Sequence, residues 1–375
     1  MYLSKIELTN FRNYEKLKLE NLQNINIIIG SNGIGKTSIL ESIYVCSLAR
    51  SFKTSDEEVL VNNNSNFYKI KILLKDSEKS KYLEYIYTDK GKKTKINNNL
   101  KKKLSDFISQ YKVIVFSPDE LKIIKESPSV RRNYLNVSLS QINKNYVKLL
   151  NKYNVLLKNK NEYLKKSYIN ANMDSQYLDL LDEKIVEIGL EICNLRNDYI
   201  NKLNKYIKKS FKKFKKDDDL FIKYESQFLD KTERQLVGLL KKNRKSEMEL
   251  GFSKTGIHRD DFEFIHNNVS SKDFSSQGLQ KLILLSLKMS ELEVLINDYY
   301  EKPILLLDDL FSELDADNQN SVIKNLNTNI QIFITTTDLN NIKPSIVKKA
   351  KVIDLGGGKK WKIIIVKVIF KYWKD

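Results

Sequence analysis

Short runs of branched apolar residues, separated by polar turns, fill the first third of the chain and predict β-strands. These runs lie at residues 3–8, 17–19, 25–29, 68–74, 82–87 and 113–116. The third run leads directly into a glycine-rich segment, and the spacing of apolar positions over residues 37–48 then predicts a helix. The polar, basic stretch KGKKTKINNNLKKK predicts a hairpin or loop between the last two strands.

From residue 130 to residue 216 the pattern changes, and Leu, Ile, Val and Tyr recur at three- and four-residue spacing without any proline. This spacing predicts long amphipathic helix, interrupted near residues 170–175. Two helices that fold back on each other at the interruption would form an arm about 50 Å long, at about 1.5 Å per residue.

After Gly251 the pattern returns to short elements, with a helix after Gly278 and strands at residues 304–307 and 332–335. We therefore expect an α/β fold in which both ends of the chain build one domain. That domain comprises residues 1–125 and 250–375, and residues 126–249 form an inserted helical arm domain. The last segment, GGGKKWKIIIVKVIFKYWKD, favours an edge strand or a poorly ordered end over a membrane-surface helix, and its lysines argue against a membrane span.

The net charge of the chain suggests one class of binding partner. The 375 residues carry 65 Lys and Arg against 47 Asp and Glu, a formal net charge of +18. Such a charge favours polyanionic partners such as nucleic acid, although a solvated lysine-rich surface explains it equally well. Cys46 and Cys193 lie far apart and only two histidines exist, so we expect no structural zinc site. The start of the chain lacks the apolar run of a signal peptide, and a cytoplasmic protein is expected.

The glycine-rich segment fits the pattern GxxxxGK[ST] at every fixed position and lies between a predicted strand and a predicted helix. Its residues are Gly30, Ser31, Asn32, Gly33, Ile34, Gly35, Lys36 and Thr37, followed by Ser38. Glycines let the backbone wrap phosphate groups so that N–H groups point inward at a helix N-terminus. We predict that Lys36 reaches the β- and γ-phosphates of ATP and that Thr37 offers its hydroxyl to Mg²⁺.

The second motif, ILLLDD at residues 304–309, consists of an apolar strand that ends in two carboxylates. P-loop proteins place an acid beside Mg²⁺ at the end of such a strand. Asp308 is therefore the predicted metal residue. Asp309 stands where ABC ATPases carry a glutamate that polarises the attacking water. Because aspartate is one methylene shorter than glutamate, turnover is expected to be slow.

A third motif narrows the class of P-loop protein. The sequence SSQG at residues 275–278 opens an apolar helix some thirty residues before Asp308. This order fits the signature of ABC-type ATPases, in which Ser276 and Gly278 would cap the γ-phosphate of a nucleotide held by a second subunit. By itself such a sequence is more often a helix cap. The segment SELD at residues 312–315 fits the loop that joins the two sites of an ABC dimer, and residues 335–337 fall where many ABC proteins carry a phosphate-sensing histidine.

Taken together, these motifs and several other segments resemble the RecF family of bacterial repair ATPases nearly end to end. The matching segments are NFRNYEKL, TSILESIYVCSLARSF, VFSPDEL, the stretch from Pro128 through Arg131 and Arg132 to Leu135, GIHRDD and LLLDDLFSELD. The resemblance implies an ABC-type, SMC-head-like P-loop ATPase with a helical second domain. It also implies an ATP-dependent homodimer that binds duplex DNA, junctions or single strands, and the mediator proteins RecR and RecO as partners.

The chain departs from the family pattern at Leu279, Lys281 and Ile257, and in the tail after Gly358. Leu279 and Lys281 replace a glutamine and an arginine, which weakens the expected contact with the partner's nucleotide. Arg12 could reach the nucleotide or lie in an exposed turn.

Two further features leave alternatives open. His258 and Arg259 could face the nucleotide, although bracing of the second domain is slightly favoured. The basic runs at residues 205–216 and 101–103 could follow a DNA backbone or be solvated surface.

The leading hypothesis is therefore a slow, DNA-stimulated ATPase of recombinational repair and replication-fork maintenance, with ATP and Mg²⁺ as cofactors. One alternative is the nucleotide-binding subunit of a membrane transporter, against which the long helical insert and the basic charge argue. The other alternative is a nucleotide-gated DNA adaptor without catalysis, because slow hydrolysis and no hydrolysis look alike in a sequence.

Overall fold

The computed structural model describes residues 1–76, 78–169, 175–274, 276–310 and 330–356, with the side chains of residues 167–169 and 273–274 left out. The predicted SELD loop and the apolar tail lie outside these residues. The chain divides into two compact units, residues 1–120 with 291–375 and residues 121–290. The borders predicted from sequence, at residues 125/126 and 249/250, differ from these and stay a prediction about functional domains.

One layer of the first unit is a six-stranded antiparallel sheet with the strand order β2-β1-β4-β5-β6-β7. Its strands are β1 (Tyr2–Phe11), β2 (Tyr14–Glu20), β4 (Phe67–Lys75), β5 (Ser80–Thr88), β6 (Gly91–Ile96) and β7 (Asn99–Lys101). Inward apolar and outward polar residues alternate along β1, as in a sheet with one solvated face. The predicted basic hairpin is confirmed as β6 and β7, and Asn97 and Asn98 take the positive φ angles that its two-residue turn requires.

The other sheet of the first unit has five parallel strands in the order β14-β3-β13-β12-β8. They are β3 (Ile25–Ile29), β8 (Val113–Phe116), β12 (Ile304–Leu307), β13 (Gln331–Thr336) and β14 (Lys351–Asp354). The strands β8, β12 and β13 are buried along their whole length, as expected where both faces of a parallel sheet are covered. Because all strands run the same way, the residues that follow β3, β8, β12 and β13 meet at one edge.

A buried amide joins the two sheets of this unit. The Gln331 side chain accepts a hydrogen bond from the Leu3 amide at 2.7 Å and donates to the Leu3 carbonyl at 2.8 Å. It also donates to the Gln23 carbonyl at 2.9 Å. A buried amide side chain with all these partners satisfied fixes the position of β1 against β13.

Helices make up most of the second unit, together with a small antiparallel sheet of order β11-β10-β9. The helices are α2 (Lys122–Lys125), α3 (Pro128–Ile142), α4 (Lys144–Ile169), α5 (Ser175–Lys212), α6 (Glu233–Leu250), α7 (Ser271–Phe274) and α8 (Gln277–Glu293), the last of which continues into the first unit. The strands are β9 (Leu220–Glu225), β10 (Asp261–His266) and β11 (Val269–Ser270). The first unit contains α1 (Lys36–Leu48), a π-helical turn (Val294–Asp298) and α9 (Pro344–Val347).

Short 3₁₀ turns complete the described elements, at Glu58–Leu60, Leu104–Asp106, Pro118–Leu121, Ile257–Arg259 and Leu339–Asn341. None of the helices among the described residues combines the length and the apolar character needed to cross a membrane.

The predicted helical region over residues 130–216 is helical but contains three helices instead of two. Asn143 separates α3 from α4, because its backbone is extended, with a φ of −134°. Its side-chain oxygen accepts hydrogen bonds from the amides of Asn145 and Tyr146 at 2.9 and 3.1 Å. An asparagine at this position caps the start of α4, so α3 ends there. The helix α5 has 38 residues and is about 57 Å long at 1.5 Å per residue.

The motif GIHRDD contributes to the buried polar core of the second unit. Arg196, from α5, is 1% exposed and donates to Asp260 at 2.6 Å and to the Ile257 carbonyl at 2.7 Å. The His258 ring forms hydrogen bonds with the Tyr153 hydroxyl at 2.9 Å and the Ser253 carbonyl at 3.0 Å, and burial lowers its pKa to about 4. These contacts place His258 and its neighbours in bracing roles within the unit.

The basic run at residues 205–216 is only partly available to a ligand. Phe211 is fully buried, so its ring cannot stack on a base. Lys208 and Lys212 pair with Asp219 at 2.8 and 3.4 Å, and Lys215 pairs with Asp218 at 3.6 Å. These pairs favour the interpretation of this run as a solvated helix face.

Candidate functional site

The glycine-rich loop connects β3 to α1 and has the geometry of an anion-binding loop. Gly33 and Gly35 adopt φ angles of 79° and 108°, which side-chain-bearing residues rarely take. A Cβ atom on Gly35 would lie 2.7 Å from the Tyr14 hydroxyl, and one on Gly30 would lie 2.9 Å from Ile34. No side chain caps α1 at Gly35. The amide groups of its first turn therefore remain free of intrahelical partners and point toward a site for phosphate.

A tight turn near the N-terminus braces this loop from outside. The Asn13 side-chain amide donates to the Gly33 carbonyl at 3.2 Å, and the Tyr14 hydroxyl donates to the Gly35 carbonyl at 3.1 Å. Two side chains of this turn thus fix carbonyl groups of the loop at Gly33 and Gly35. Neither residue was predicted to take part in the site; the only signal was their place in the NFRNY segment.

Arg12 lies in the same turn, at φ 52°, and its guanidinium is paired within the chain. Its Nε and Nη2 atoms donate to the two carboxylate oxygens of Glu41 at 2.9 Å each, and its Nη1 donates to the Val59 carbonyl at 3.2 Å. Glu41 belongs to α1 and is 1% exposed, and it also accepts a hydrogen bond from Ser51. Arg12 is thus not a free arginine in an exposed turn, and its role as a nucleotide ligand stays a prediction.

Lys36 is buried at the start of α1, with its ammonium group inside the loop. Its Nζ atom donates to the Gly30 carbonyl at 2.7 Å and to the Ser31 carbonyl at 3.1 Å. Burial lowers its pKa, and the nearby charges of Asp309 and Asp308 oppose that shift. The ammonium group is therefore held at the centre of the loop, beside the carboxylates of Asp309 and Asp308.

The two acids at the end of β12 lie next to the loop. The Thr37 hydroxyl donates to Asp308 Oδ1 at 2.8 Å, which joins residues 271 positions apart in the chain. Burial raises the pKa of Asp308, and its hydrogen bonds with Thr37 and Thr335 partly offset this. The structure thus brings together Lys36, Thr37, Asp308 and Asp309, as the sequence motifs predicted for this edge of the sheet.

Thr335, at the end of β13, links the two acids to each other. Its hydroxyl donates to Asp308 Oδ1 at 2.9 Å and accepts a hydrogen bond from the Asp309 amide at 2.9 Å. Asp309 has a φ of 52°, a conformation that is uncommon for residues other than glycine. The Thr335 hydroxyl thus fixes both the carboxylate of Asp308 and the backbone of Asp309.

The donor set fits a nucleotide with Mg²⁺. A threonine hydroxyl and a carboxylate are hard oxygen donors, and magnesium is commonly held by one or two carboxylates together with phosphate oxygens and water. Among the described residues no group of three or more His, Cys, Asp or Glu side chains could hold a metal ion. Magnesium at Thr37 and Asp308 would therefore depend on phosphate oxygens for the rest of its coordination.

The serine-glycine turn lies in the second unit, at the start of α8. Ser276 and Gly278 are exposed, and the Ser276 hydroxyl accepts a hydrogen bond from the Leu279 amide at 3.3 Å. Among the described residues, nothing lies within 4 Å of the place where a Cβ on Gly278 would be. The described part of the chain therefore leaves this turn exposed, and Ser275 lies outside that part.

Comparison with known proteins gives a family and close relatives. The family described as "RecF/RecN/SMC N terminal domain" matches residues 2–353. The protein "DNA replication and repair protein RecF" of Lactobacillus johnsonii is 36% identical over 367 residues, which cover 96% of this chain and 98% of that relative.

Solved structures agree with this assignment. A structure described as "recombination mediator protein RecF-ATP in RecFOR pathway" is 35% identical, with a TM-score of 0.86, and covers 91% of this chain and 93% of that one. An Smc head domain from Pyrococcus furiosus is 16% identical, with a TM-score of 0.51, and covers 94% of this chain and 93% of that one, a likeness of fold alone. The fold is thus that of an ABC-type, SMC-head-like ATPase, and the chain belongs to the RecF family.

Proposed function

We propose that the protein is an ATP-dependent DNA-binding ATPase of recombinational repair and replication-fork maintenance, which helps to load recombinase at gaps. The observation that carries the proposal is the 2.8 Å hydrogen bond between Thr37 in the phosphate loop and Asp308 at the end of β12. In this bond the loop and the acid, the two chemical parts of a P-loop site, lie side by side. The names of the similar proteins, which concern DNA replication, repair and RecF with ATP, support the same function.

In this proposal each residue of the site has a separate task. The backbone N–H groups of residues 30–38 bind the phosphates, and Lys36 balances the charge of the β- and γ-phosphates. Thr37 and Asp308 would hold Mg²⁺, which would neutralise charge on the phosphate oxygens. Asp309 orients and polarises the attacking water, and because its side chain is short we infer that hydrolysis is slow. We also propose that DNA increases the rate of hydrolysis.

The second half of each site would come from another copy of the chain. Ser276 and Gly278 are exposed at a helix N-terminus, which suits contact with the γ-phosphate of a partner's nucleotide. ATP would then join two protomers, with residues 1–125 and 250–375 as the ATPase head and residues 126–249 as the arm. Duplex DNA, duplex–single-strand junctions, RecR and RecO are the proposed partners, and the cytoplasm is the proposed place of action.

Binding of DNA in the presence and absence of ATP tests this function directly. Duplex, single-stranded and gapped DNA would be titrated across a salt series, with phosphate release measured in parallel. We expect ATP to strengthen binding, with a steep loss of affinity as salt rises. DNA binding without any phosphate release would instead favour the non-catalytic adaptor, and no binding to any DNA would rule out the proposal.

Thr335 provides a sharper test of the catalytic arrangement. Replacing Thr335 with valine removes the hydroxyl that holds both acids, so kcat is expected to fall about ten-fold while KM for ATP changes less than about three-fold. Thr335→Ser keeps the hydroxyl and is expected to restore most of the rate.

The neighbouring Thr336→Val is a matched control for this test. Within the described residues, the Thr336 hydroxyl bonds only in its own turn, where it donates to the Asp338 carbonyl at 2.8 Å and accepts from the Asp338 amide at 3.2 Å. The Thr336→Val substitution should therefore leave kcat near the wild-type value. A wild-type rate in Thr335→Val would show that the acids do not depend on this hydroxyl.

A further inference from the structure

The outward face of the six-stranded sheet carries three lysines in one row. In the strand register, Lys16 on β2 lies opposite Thr9 on β1, and Thr9 lies opposite Lys69 on β4. Lys69 in turn lies opposite Ile86 on β5, which lies opposite Lys93 on β6. Residues that are directly opposite in adjacent strands point to the same face of a sheet. The three lysines therefore project from one face along a line across the strands.

These three side chains differ from the other lysines on the same face. Lys16 and Lys93 are exposed and Lys69 is partly exposed, and none of them forms an ion pair with a described residue. The glutamates of this face already have lysine partners, in the pairs Lys5–Glu7, Lys5–Glu20, Lys18–Glu20, Lys71–Glu84 and Lys95–Glu84. The row thus keeps its positive charge in a region where every neighbouring acid on the face is paired.

The spacing of the row suits a phosphate backbone. Neighbouring strands lie about 4.8 Å apart, so lysines two strands apart are separated by about 10 Å. Duplex DNA rises about 3.4 Å per base pair, and about 10 Å therefore corresponds to three base pairs along its axis. Long lysine side chains can adjust their ends to the phosphates that this spacing brings near.

We propose that Lys16, Lys69 and Lys93 form a contact surface for the phosphate backbone of duplex DNA. The proposal rests on the DNA-binding function proposed above and adds the surface that meets the DNA. Contacts of this kind are independent of base sequence and release counterions from the DNA. The surface also lies on the solvated side of a sheet that belongs wholly to the first unit.

The test is a triple variant, Lys16→Gln with Lys69→Gln and Lys93→Gln, compared with a control of equal charge change. The control replaces three paired lysines of the same face, Lys18→Gln, Lys71→Gln and Lys95→Gln. Both proteins and the wild type would be titrated with ATP and a 30-base-pair duplex at several salt concentrations. ATP hydrolysis without DNA would be measured to show that each variant retains its nucleotide site.

The row variant is expected to bind the duplex at least about ten-fold more weakly. The slope of log affinity against log salt should become shallower by about two to three, since each lost phosphate contact removes about 0.9. The control should lose less affinity and keep most of its slope. Equal losses in both variants, or an unchanged slope in the row variant, overturn the assignment of this surface. Failure of the wild type itself to bind DNA would overturn the proposed function as well.

Discussion

Replacing Lys36 with alanine is expected to weaken ATP binding at least about 100-fold. The ammonium group is held inside the phosphate loop by the Gly30 and Ser31 carbonyls, beside Asp308 and Asp309. Hydrogen bonds to charged groups contribute about 1.5 to 3 kcal/mol each, and a 100-fold change in affinity is about 2.7 kcal/mol. Loss of the bonds to both phosphates therefore suffices for this effect. Isothermal titration calorimetry with ATP and Mg²⁺ would measure it.

Lys90→Ala serves as the control for this change. Lys90 lies in the exposed turn between β5 and β6, so its replacement alters the net charge equally without touching the loop. Far-UV circular dichroism and the unfolding temperature would establish that both variants fold. If Lys36→Ala binds ATP with wild-type affinity, the phosphate loop is not part of the ATP site.

The second large effect is expected for Asp309→Asn, in which the hydrolysis rate should fall at least about 100-fold while ATP still binds. A positioned base typically contributes a factor of about 10² to 10⁴, and asparagine keeps the size of the side chain without its basicity. The protein should then accumulate as an ATP-bound dimer. Phosphate release and size-exclusion chromatography with light scattering would measure the two parts of this result.

Asp308→Asn distinguishes the role of Asp308 from that of Asp309. Because Asp308 accepts the hydrogen bond from Thr37 and is the proposed Mg²⁺ residue, its replacement should weaken Mg²⁺-dependent ATP binding itself. If Asp309→Asn remains monomeric with ATP, the shared-site arrangement fails even when the loss of hydrolysis is observed. If it hydrolyses ATP at the wild-type rate, another group must act on the water.

Three strands of the parallel sheet were the most predictable part of the fold, whereas β14 was not predicted. The predicted bounds 25–29, 113–116 and 304–307 are those of β3, β8 and β12, because each is an apolar run, interrupted only by Asn26 in β3, between clear breaks. By contrast, β9 and β10 were not predicted. Their sequences LFIKYE and DFEFIH are short and rich in charge, and their strand character depends on pairing with each other.

The motifs of the site could be predicted because phosphate chemistry requires fixed residues at fixed spacing. Glycines, Lys36, Thr37 and the acids after a buried strand form such a pattern. The bracing contacts could not be predicted in the same way. The bond from Tyr14 to the Gly35 carbonyl and the pair of Arg12 with Glu41 join segments 21 and 29 residues apart, and only the folded chain brings them together.

The order of strands in the parallel sheet has a consequence for synthesis of the protein. The neighbours of β3 are β13 and β14, which follow it by roughly 300 residues in the chain. At about 5 to 20 residues per second, a ribosome needs about 15 to 60 s to produce that length. During this interval the nascent β3 has no strand partners from its own sheet. Its apolar residues are then exposed to chaperones, so this unit completes its folding only near the end of translation.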